Sequence, residues 1–373
     1  MDWRKQLETR RNTHRIGGRL DALSGLVLVA ITVLQYFFFA TYSTEMMVVH
    51  DIQQSTPQSY LPSDLENGVM NISRSQLHFD LVDIDECDLF LNKSRRSMYR
   101  KYHQYAEMLG NYSLAVEAFT TGIDDIRLVD KGIHPKFCDS LNLLHLFEDG
   151  FLSRVNNILL EPLLPPMRHP SFCEHRRKFS LNIDYLVHDF ASICQNMKPT
   201  SRTIFFDIGA SLQYHNARKR RANPAISLVD VYKRFGIKFD HYYAFEYTKL
   251  PSDEVFEKIP PDLLPSYHWF NVGVKSDPSS KFNPLNSILR RMREDDFIVI
   301  KLDIDTAAVE LPLTRQLLKE PFSKLVDQFY FEHHVRMKGL LYYWKKSAIG
   351  TLQESMDLFT HLRKSGIAAH SWV

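Results

Sequence analysis

The chain has 373 residues, of which 44% are hydrophobic and 24% charged. This globular composition excludes wholesale disorder, collagen-like repeats and a small disulfide scaffold. The 46 basic and 44 acidic residues leave a formal net charge of +2, and the segment before Glu45 holds six basic and three acidic residues, so the rest carries about −1. Because a nucleic-acid binder needs a basic excess to displace phosphate counterions, nucleic acid is not an expected partner.

The first predicted element is a membrane-spanning helix. Residues 22–44 contain no charged side chain, and a helix of this length crosses about 30 Å of hydrocarbon. Arginines precede the run and aromatic residues cluster at its far end, which places the N-terminus in the cytosol. A cleaved signal peptide is the alternative, but it has a shorter basic region and a small-residue cleavage site. We expect a cytosolic tail over 1–21, a signal anchor over 22–44 and single-pass type II topology.

Three N-glycosylation sequons follow this helix, at Asn71, Asn92 and Asn111. Type II topology places all three in the lumen of the secretory pathway, where such sequons are used. The four cysteines lie on the same side, and in an oxidising compartment they allow up to two disulfides in any of three pairings. Four unpaired buried thiols are the alternative. We expect a lumenal, glycosylated body, with the Golgi as its compartment.

The segment after the anchor is organised in two parts. Residues 45–80 are polar and contain prolines without sustained periodicity, which suits a stem. A helical lumenal region is expected over 81–170, with helices over 95–120 and 139–160. A further helix is predicted from Ile183 to Asn196, because its apolar residues share one face.

From Thr203 onward the pattern changes to short apolar runs, each ending in polar residues. The runs lie at 203–206, 242–245, 269–272, 297–300 and 329–331. Their polar ends are 25 to 39 residues apart, which is the spacing of βαβ units, and their continuous apolar character indicates strands covered on both faces. A capping box begins at Thr351 and predicts a late helix. We therefore predict an α/β fold over residues 171–373, with a Rossmann-like, doubly wound and mostly parallel sheet.

Residues that could carry chemistry follow these strands. In open α/β sheets, ligands bind beyond the carboxyl ends of the strands. The residues expected there are Asp207, Gly209, Glu246, Asn271, Asp303, Asp305, Glu332, His333 and His334. Gly209 would let the backbone approach a ligand, and Glu246 is placed to accept hydrogen bonds from ribose hydroxyls. Together these residues should line one crevice.

At these positions the chain resembles the S-adenosylmethionine-dependent methyltransferases of the FkbM type. FFDIGAS at 205–211 is similar to the first-strand loop of that family, YAFE at 243–246 to its ribose-binding acid, NVGV at 271–274 to its third strand, and IKLDID at 300–305 to its Lys-x-Asp-x-acid signature. The similarity covers about residues 180–373. It implies a methyltransferase whose acceptor lies beside Asp303 and Asp305. The residues implied to contact S-adenosylmethionine are Asp207, Gly209, Ser211, Glu246 and Asn271.

Methyl transfer to oxygen also needs a base within hydrogen-bond reach of the acceptor hydroxyl. Asp303 and His334 are the candidates, with Glu332 or Asp305 orienting the base or holding a divalent ion through oxygen ligands. Adjacent strand residues face opposite sides, so only one histidine of the pair 333–334 should point into the site.

The acidic signature also has a structural explanation. Asp303, Asp305 and Lys301 share side-chain parity on an extended chain, so both carboxylates can face one side of the strand end. An ion pair between Lys301 and one carboxylate, with the other acid capping a helix and neither having a catalytic role, is the alternative.

Two other functions remain open. A type II Golgi glycosyltransferase would use Asp303-Ile304-Asp305 to bind a metal ion and a sugar-nucleotide diphosphate. Gln213 and Thr306 stand where the FkbM family usually has glycine, so a non-catalytic module with the same fold is the third candidate. The basic run at 218–221 predicts an anionic acceptor, such as a uronate or a sulfated sugar, or is simply a solvated loop.

Overall fold

The computed structural model describes residues 60–76, 87, 96–121, 135–165, 167–211, 224–344 and 347–373. The predicted cytosolic tail, the signal anchor over 22–44 and the sequon at Asn92 lie outside these residues. Among the described residues, no helix is both long enough and apolar enough to cross a membrane. All of the described residues belong to one compact unit.

The first half of this unit is mainly helical. It comprises helices α1 (Asp64–Gln76), α2 (Arg96–Thr121) and α3 (Pro135–Ser140), an antiparallel hairpin of β1 (Ser153–Val155) and β2 (Ile158–Leu160), and helices α4 (Arg176–Phe179) and α5 (Phe190–Asn196). The second half alternates strands with helices. Its strands are β3 (Thr203–Ile208), β4 (His241–Phe245), β5 (Tyr267–Phe270), β6 (Phe297–Leu302), β7 (Gln328–Phe331) and β8 (Ala368–Ser371). Its helices are α6 (Pro224–Arg234), α7 (Ser252–Phe256), α8 (Pro284–Ser287), α9 (Ala307–Leu317), α10 (Phe322–Leu325), α11 (Leu341–Trp344) and α12 (Leu352–Lys364).

Strands β3 to β8 form one six-stranded sheet in the order β5-β4-β3-β6-β7-β8. Every neighbouring pair in it is parallel. The strand order reverses between β3 and β6, and in doubly wound sheets ligands bind outside the carboxyl ends of the strands at such a reversal. The predicted α/β fold with a mostly parallel sheet is confirmed.

Two apolar cores cover the two faces of the sheet. Phe205 of β3 and Val299 of β6 pack in one core with Leu228 of α6. The alternate residues of the same strands pack in the other core with helices α9 and α12. Because the helices after β3 and β4 lie on one face and those after β6 and β7 on the other, the sheet is covered on both sides. This burial explains the continuous apolar runs that predicted the strands.

The strand β8 was not predicted. Its sequence, Ala-Ala-His-Ser, carries neither the β-branched residues nor the apolar run that indicates a strand. Its four residues are nonetheless fully covered, because β8 lies beside β7 and is flanked by the preceding helix and the segment around Glu161. The predicted capping box at Thr351, by contrast, is present and begins α12.

The stem predicted over 45–80 is wrong for its second half. Residues 60–76 belong to the body, because Leu65 and Val69 of α1 are buried in the same core as α2. Glu66, fully buried, accepts hydrogen bonds from the Ser153 hydroxyl at 2.7 Å and from the backbone of Leu163 at 3.0 Å. Sequence inspection missed this helix because a buried, hydrogen-bonded glutamate interrupts its apolar face.

The helix predicted over 95–120 is confirmed by α2, but the one over 139–160 is wrong. That segment contains one short 3-10 turn and the β1–β2 hairpin. Gly150 and Asn156 adopt positive φ angles of 85° and 53°, a left-handed conformation that an α-helix cannot include.

The helix predicted from Ile183 to Asn196 is also shorter than expected. Helix α5 begins only at Phe190, where the Asp189 side chain caps it by accepting from the backbone of Ser192 at 3.0 Å. A carboxylate at this position satisfies an otherwise unpaired amide and sets the first residue of the helix.

The four cysteines form two disulfides, Cys87–Cys173 and Cys138–Cys194. The second bond joins α3 to α5 in the core that covers one face of the sheet. The structure therefore selects one of the three possible pairings and excludes four unpaired thiols.

A buried charge network connects the first and last helices. Arg363 of α12 is fully buried, with Nη1 3.6 Å from Oε2 of Glu66 and Nη2 3.5 Å from Oε1 of Glu161. Nδ1 of His370 lies 2.9 Å from the same Glu161 oxygen. Burial alone would raise the pKa of Glu161, but His370 and Arg363 hold it below its ordinary value. This network joins the N-terminal part of the body to strand β8.

Candidate functional site

Lys301 occupies the point where the strand order reverses. It is 3% exposed, and its Nζ donates to the carbonyl of Gly209 at 2.8 Å and lies 3.1 Å from Oδ1 of Asp207 and 3.4 Å from Oδ2 of Asp303. Burial opposes the charge on Lys301, but the two carboxylates outweigh it and raise its pKa. The Tyr242 hydroxyl donates to the other Asp207 oxygen at 2.7 Å. Both oxygens of Asp207 are therefore engaged by Lys301 and Tyr242. The ion pair between Lys301 and a carboxylate, which was the structural explanation, is present.

Gly209 is required by a close approach of two loops. Its φ is +101°, and a Cβ there would lie 1.7 Å from the carbonyl oxygen of Asp303. The amides of Gly209 and Ala210 both donate to the Phe245 carbonyl, at 3.0 and 2.9 Å. The approach of the loop after β6 therefore accounts for the glycine at this position, and the approach of a ligand to the Gly209 backbone stays a prediction.

Glu246 follows β4, next to the reversal. Its Oε1 accepts the amide of Thr248 at 2.6 Å, while no described residue donates to its second oxygen. Asn271, at the end of the neighbouring strand, donates to the carbonyls of Glu246 and Thr248 at 2.9 and 2.6 Å and accepts from Leu250 at 3.0 Å. Asn271 thus holds the Glu246 loop in place, and Glu246 presents one free carboxylate oxygen at the carboxyl edge of the sheet.

The four predicted catalytic residues converge on one cluster beyond strands β6 and β7. One carboxylate oxygen from each of Asp303, Asp305 and Glu332 and one ring nitrogen of His334 all lie within 4.8 Å of one another. Nε2 of His334 is 3.0 Å from Oε2 of Glu332 and 3.7 Å from Oδ1 of Asp305. The four residues predicted from the sequence as catalytic therefore lie together in the structure, and their catalytic role stays a prediction.

The reason for the convergence differs from the predicted one. Strand β6 ends at Leu302, so strand parity does not act on the residues beyond it. The chain turns, and Asp305 takes a positive φ of 54°, a conformation that aspartate tolerates better than most residues. A turn, and not an extended strand, brings Asp305 back toward His334.

Glu332 is fixed by two donors on one of its oxygens. Arg168 Nη2 and Trp344 Nε1 each donate to Oε1 at 3.0 Å. Burial would raise the pKa of Glu332, but His334 and Arg168 hold it well below its ordinary value. The carboxylate is therefore ionised, and its Oε2 faces His334.

Only one of the two adjacent histidines enters the cluster, as predicted. His333 lies on the other side, where Nδ1 is 3.0 Å from the Ser355 hydroxyl and burial lowers its pKa to about 4. His334 points into the cluster and is 1% exposed. Burial opposes a charge on His334, but Glu332, Glu310 and Asp305 raise its pKa.

Three residues of the site escaped the sequence prediction. Arg168 comes from the proline-rich segment before the sheet, where it is a lone basic residue among apolar ones. Trp344 packs on the His334 ring, with centroids 4.9 Å apart. Glu310 of α9 is 1% exposed and accepts the amide of Ile304 at 2.8 Å, so it holds the acidic turn. Burial raises the pKa of Glu310 to about 7.

The site as a whole has an excess of negative groups. Burial raises the pKa of Asp303 despite the nearby ammonium of Lys301, and Glu332 and Asp305 raise it further. Among the residues that the structure describes, two permanent cations, Lys301 and Arg168, make ion pairs at the cluster. Five carboxyl groups lie in it or beside it: Asp207, Asp303, Asp305, Glu310 and Glu332. Such a site favours a bound cation, because the carboxylates repel one another without one.

Thr306 is accommodated without strain, although the FkbM family, which this chain resembles, usually has glycine at this position. Its φ is −136°, an ordinary extended value, and it stands at the start of α9. Gln213 and the basic run at 218–221 lie outside the described residues. Ser211 follows Ala210 at the end of the β3 loop, and its amide donates to the Gly209 carbonyl at 3.0 Å.

No protein family, curated protein or solved structure that was compared matches this chain. The strand order and the residues at the carboxyl edge are therefore the basis for a functional proposal.

Proposed function

We propose that the protein is a type II membrane-anchored, S-adenosylmethionine-dependent O-methyltransferase that acts on a glycan or another acceptor of the secretory pathway. The sheet order supports this proposal, because doubly wound sheets bind ligands at the carboxyl edge beside a reversal such as the one between β3 and β6. The anionic character of the glycan is proposed from the basic run at 218–221. The motif resemblance supplies the identity of the cofactor.

The observation that carries the proposal is the position of Glu246. It directly follows β4, which lies beside β3 at the reversal, and a doubly wound fold places the acid that binds a ribose near this edge. One carboxylate oxygen is held by Thr248 and the loop is clamped by Asn271. The remaining oxygen is preorganised to accept hydrogen bonds from a ribose diol, which reduces the ordering cost of binding.

The proposed reaction is a direct displacement. The acceptor oxygen bonds to the methyl carbon as the bond from carbon to sulfur breaks, leaving the neutral thioether of S-adenosylhomocysteine. The proton of the acceptor hydroxyl passes to Asp303, a member of the cluster that lies 3.4 Å from Lys301 Nζ and is 24% exposed. Alignment and proton removal are the two contributions that such a site makes to methyl transfer.

Replacing Glu246 by alanine should weaken S-adenosylmethionine binding by about 1–3 kcal/mol, the usual value of a charge-assisted hydrogen bond. Isothermal titration calorimetry on the full-length protein in detergent measures this change. Glu254→Ala, which removes an exposed carboxylate of α7, is the matched control and should bind like the wild type. Absence of S-adenosylmethionine binding by the wild type would refute the methyltransferase proposal.

The glycosyltransferase alternative is favoured by one observation, the participation of both Asp303 and Asp305 in a cluster that suits a metal ion. The same calorimetry separates the two functions. Manganese-dependent binding of a nucleoside diphosphate without binding of S-adenosylmethionine would establish the alternative. Binding of neither ligand would favour a non-catalytic module.

The proposed lumenal orientation is supported by the two disulfides, which persist in oxidising compartments. The sequon residues Asn71 and Asn111 are both exposed on helices. Endoglycosidase treatment of the protein expressed in a eukaryotic cell should therefore reduce its apparent mass.

The matched pair for this experiment is Asn71→Gln, which removes a sequon, and Ser73→Thr, which preserves it. The first should remove one glycan and the second none. An unchanged mass after treatment of the wild type would argue against the lumenal orientation.

A further inference from the structure

His334 presents Nε2 to the acidic cluster without a well-directed hydrogen bond. The residue is 1% exposed, yet its Nε2 makes no hydrogen bond to any described residue. The nearest oxygens are Oε2 of Glu332 at 3.0 Å and Oδ1 of Asp305 at 3.7 Å. A buried polar atom without a partner is costly, so its position among carboxylates indicates that it serves a ligand.

The protonation of His334 follows from its other nitrogen. The Ser347 hydroxyl donates its only proton to the carbonyl of Trp344 at 2.6 Å. At 2.7 Å from His334 Nδ1, the same hydroxyl oxygen must therefore accept a hydrogen bond, so Nδ1 carries a proton. In the neutral ring, Nε2 then directs its lone pair into the cluster, as in histidines that bind metal ions.

Neighbouring residues also orient the carboxylates toward the centre of the cluster. Arg168 and Trp344 both bind Oε1 of Glu332, which orients the carboxylate and leaves Oε2 toward His334. Glu310 fixes the turn that carries Asp303 and Asp305 by accepting the Ile304 amide at 2.8 Å. Supporting partners of this kind orient the ligands in metal sites and contribute to affinity.

We infer that Asp303, Asp305, Glu332 and His334 bind one divalent metal ion. Three carboxylate oxygens and one imidazole nitrogen suit an oxygen-preferring ion that also accepts nitrogen, and Mn²⁺ fits this description better than Ca²⁺. The inference deepens the proposed function and rests on it for the role of the ion, which is to bind and polarise the acceptor hydroxyl. Binding of the ion itself does not require S-adenosylmethionine.

Mn²⁺ alone is the probe that tests this site. Free Mn²⁺ gives a six-line electron paramagnetic resonance signal that decreases on binding, so titration of the full-length protein in detergent yields the stoichiometry and the affinity. We expect one site per chain. We also expect electron spin echo modulation from one directly bound imidazole nitrogen, which tests the His334 ligand without any mutation.

Two variants test the assignment of the ligands. Asp305→Asn keeps a residue that tolerates positive φ and, at a side chain that is 80% exposed, should preserve the fold. It should weaken Mn²⁺ binding at least ten-fold. Ser347→Ala removes the partner of His334 Nδ1 and should weaken binding by about 10-fold to 100-fold. Glu320→Gln, an exposed carboxylate paired with Lys324, is the control and should change nothing.

The outcomes separate this inference from the proposed function. No stoichiometric Mn²⁺ binding by the wild type, no nitrogen modulation, or wild-type affinity in Asp305→Asn would overturn the metal site. Glu246→Ala should bind Mn²⁺ normally. A protein that binds Mn²⁺ in this way but does not bind S-adenosylmethionine would refute the methyltransferase and leave the metal site established.

Discussion

Replacing Arg363 by methionine should lower the free energy of unfolding by about 3–5 kcal/mol, the usual cost of removing one partner from a buried ion pair. Methionine preserves much of the side-chain volume, so the loss is mainly electrostatic. It would leave Glu66 and Glu161 buried without the guanidinium that lies beside both of them. Urea unfolding of the full-length protein, followed by tryptophan fluorescence, measures the change.

Lys364→Met is the matched control, because it removes the same charge from the next residue of the same helix at an exposed position. Surface substitutions of this kind usually change stability by less than about 0.5 kcal/mol. The double variant Arg363→Met with Glu161→Gln should recover part of the loss, since the pair then loses both charges. Equal stability of Arg363→Met and the wild type would show that the network does not hold α1 and α12 together.

The sheet was predictable because each of its strands, except β8, is indicated by a short apolar run in the sequence. Strands β3, β6 and β7 are buried at every residue, and each contains a short apolar run, as at 297–300. Polar residues directly after these runs must lie at the carboxyl edge, and that rule found Asp303, Glu332 and His334. Strand β8 was not predicted, because its residues are buried by packing but do not form an apolar run in the sequence.

The support of the site was not predictable because it depends on contacts distant in sequence. Arg168 reaches Glu332 across 164 positions, and nothing local indicates which acid a lone arginine will meet. Glu66 is similar, since a helix with a glutamate on its inner face looks exposed until Ser153 and Arg363 are known to lie beside it. Gly209 shows the same limitation, because its real neighbour is the Asp303 carbonyl on another loop.

Replacing Asp303 by asparagine should reduce methyl transfer by about 10²–10⁴-fold, the usual contribution of a positioned general base. The change should affect stability little, because Lys301 keeps its contacts with Asp207 at 3.1 Å and the Gly209 carbonyl at 2.8 Å. Turnover of S-adenosylmethionine with a hydroxyl-bearing glycan acceptor, together with a melting curve, provides both measurements. Wild-type turnover would remove Asp303 from the mechanism, and a large drop in melting temperature would support the purely structural role.

Asp207→Asn is the informative comparison, because Asp207 is fully buried and closer to Lys301 than Asp303 is. It should lower the melting temperature clearly, since it weakens the main partner of a buried ammonium.

Mn²⁺ dependence then separates the two possible roles of Asp303. If Asp303 only binds the ion, excess Mn²⁺ should refill the weakened site by mass action and restore turnover in Asp303→Asn. If Asp303 also takes the acceptor proton, turnover should stay low at saturating Mn²⁺, because an amide cannot accept that proton.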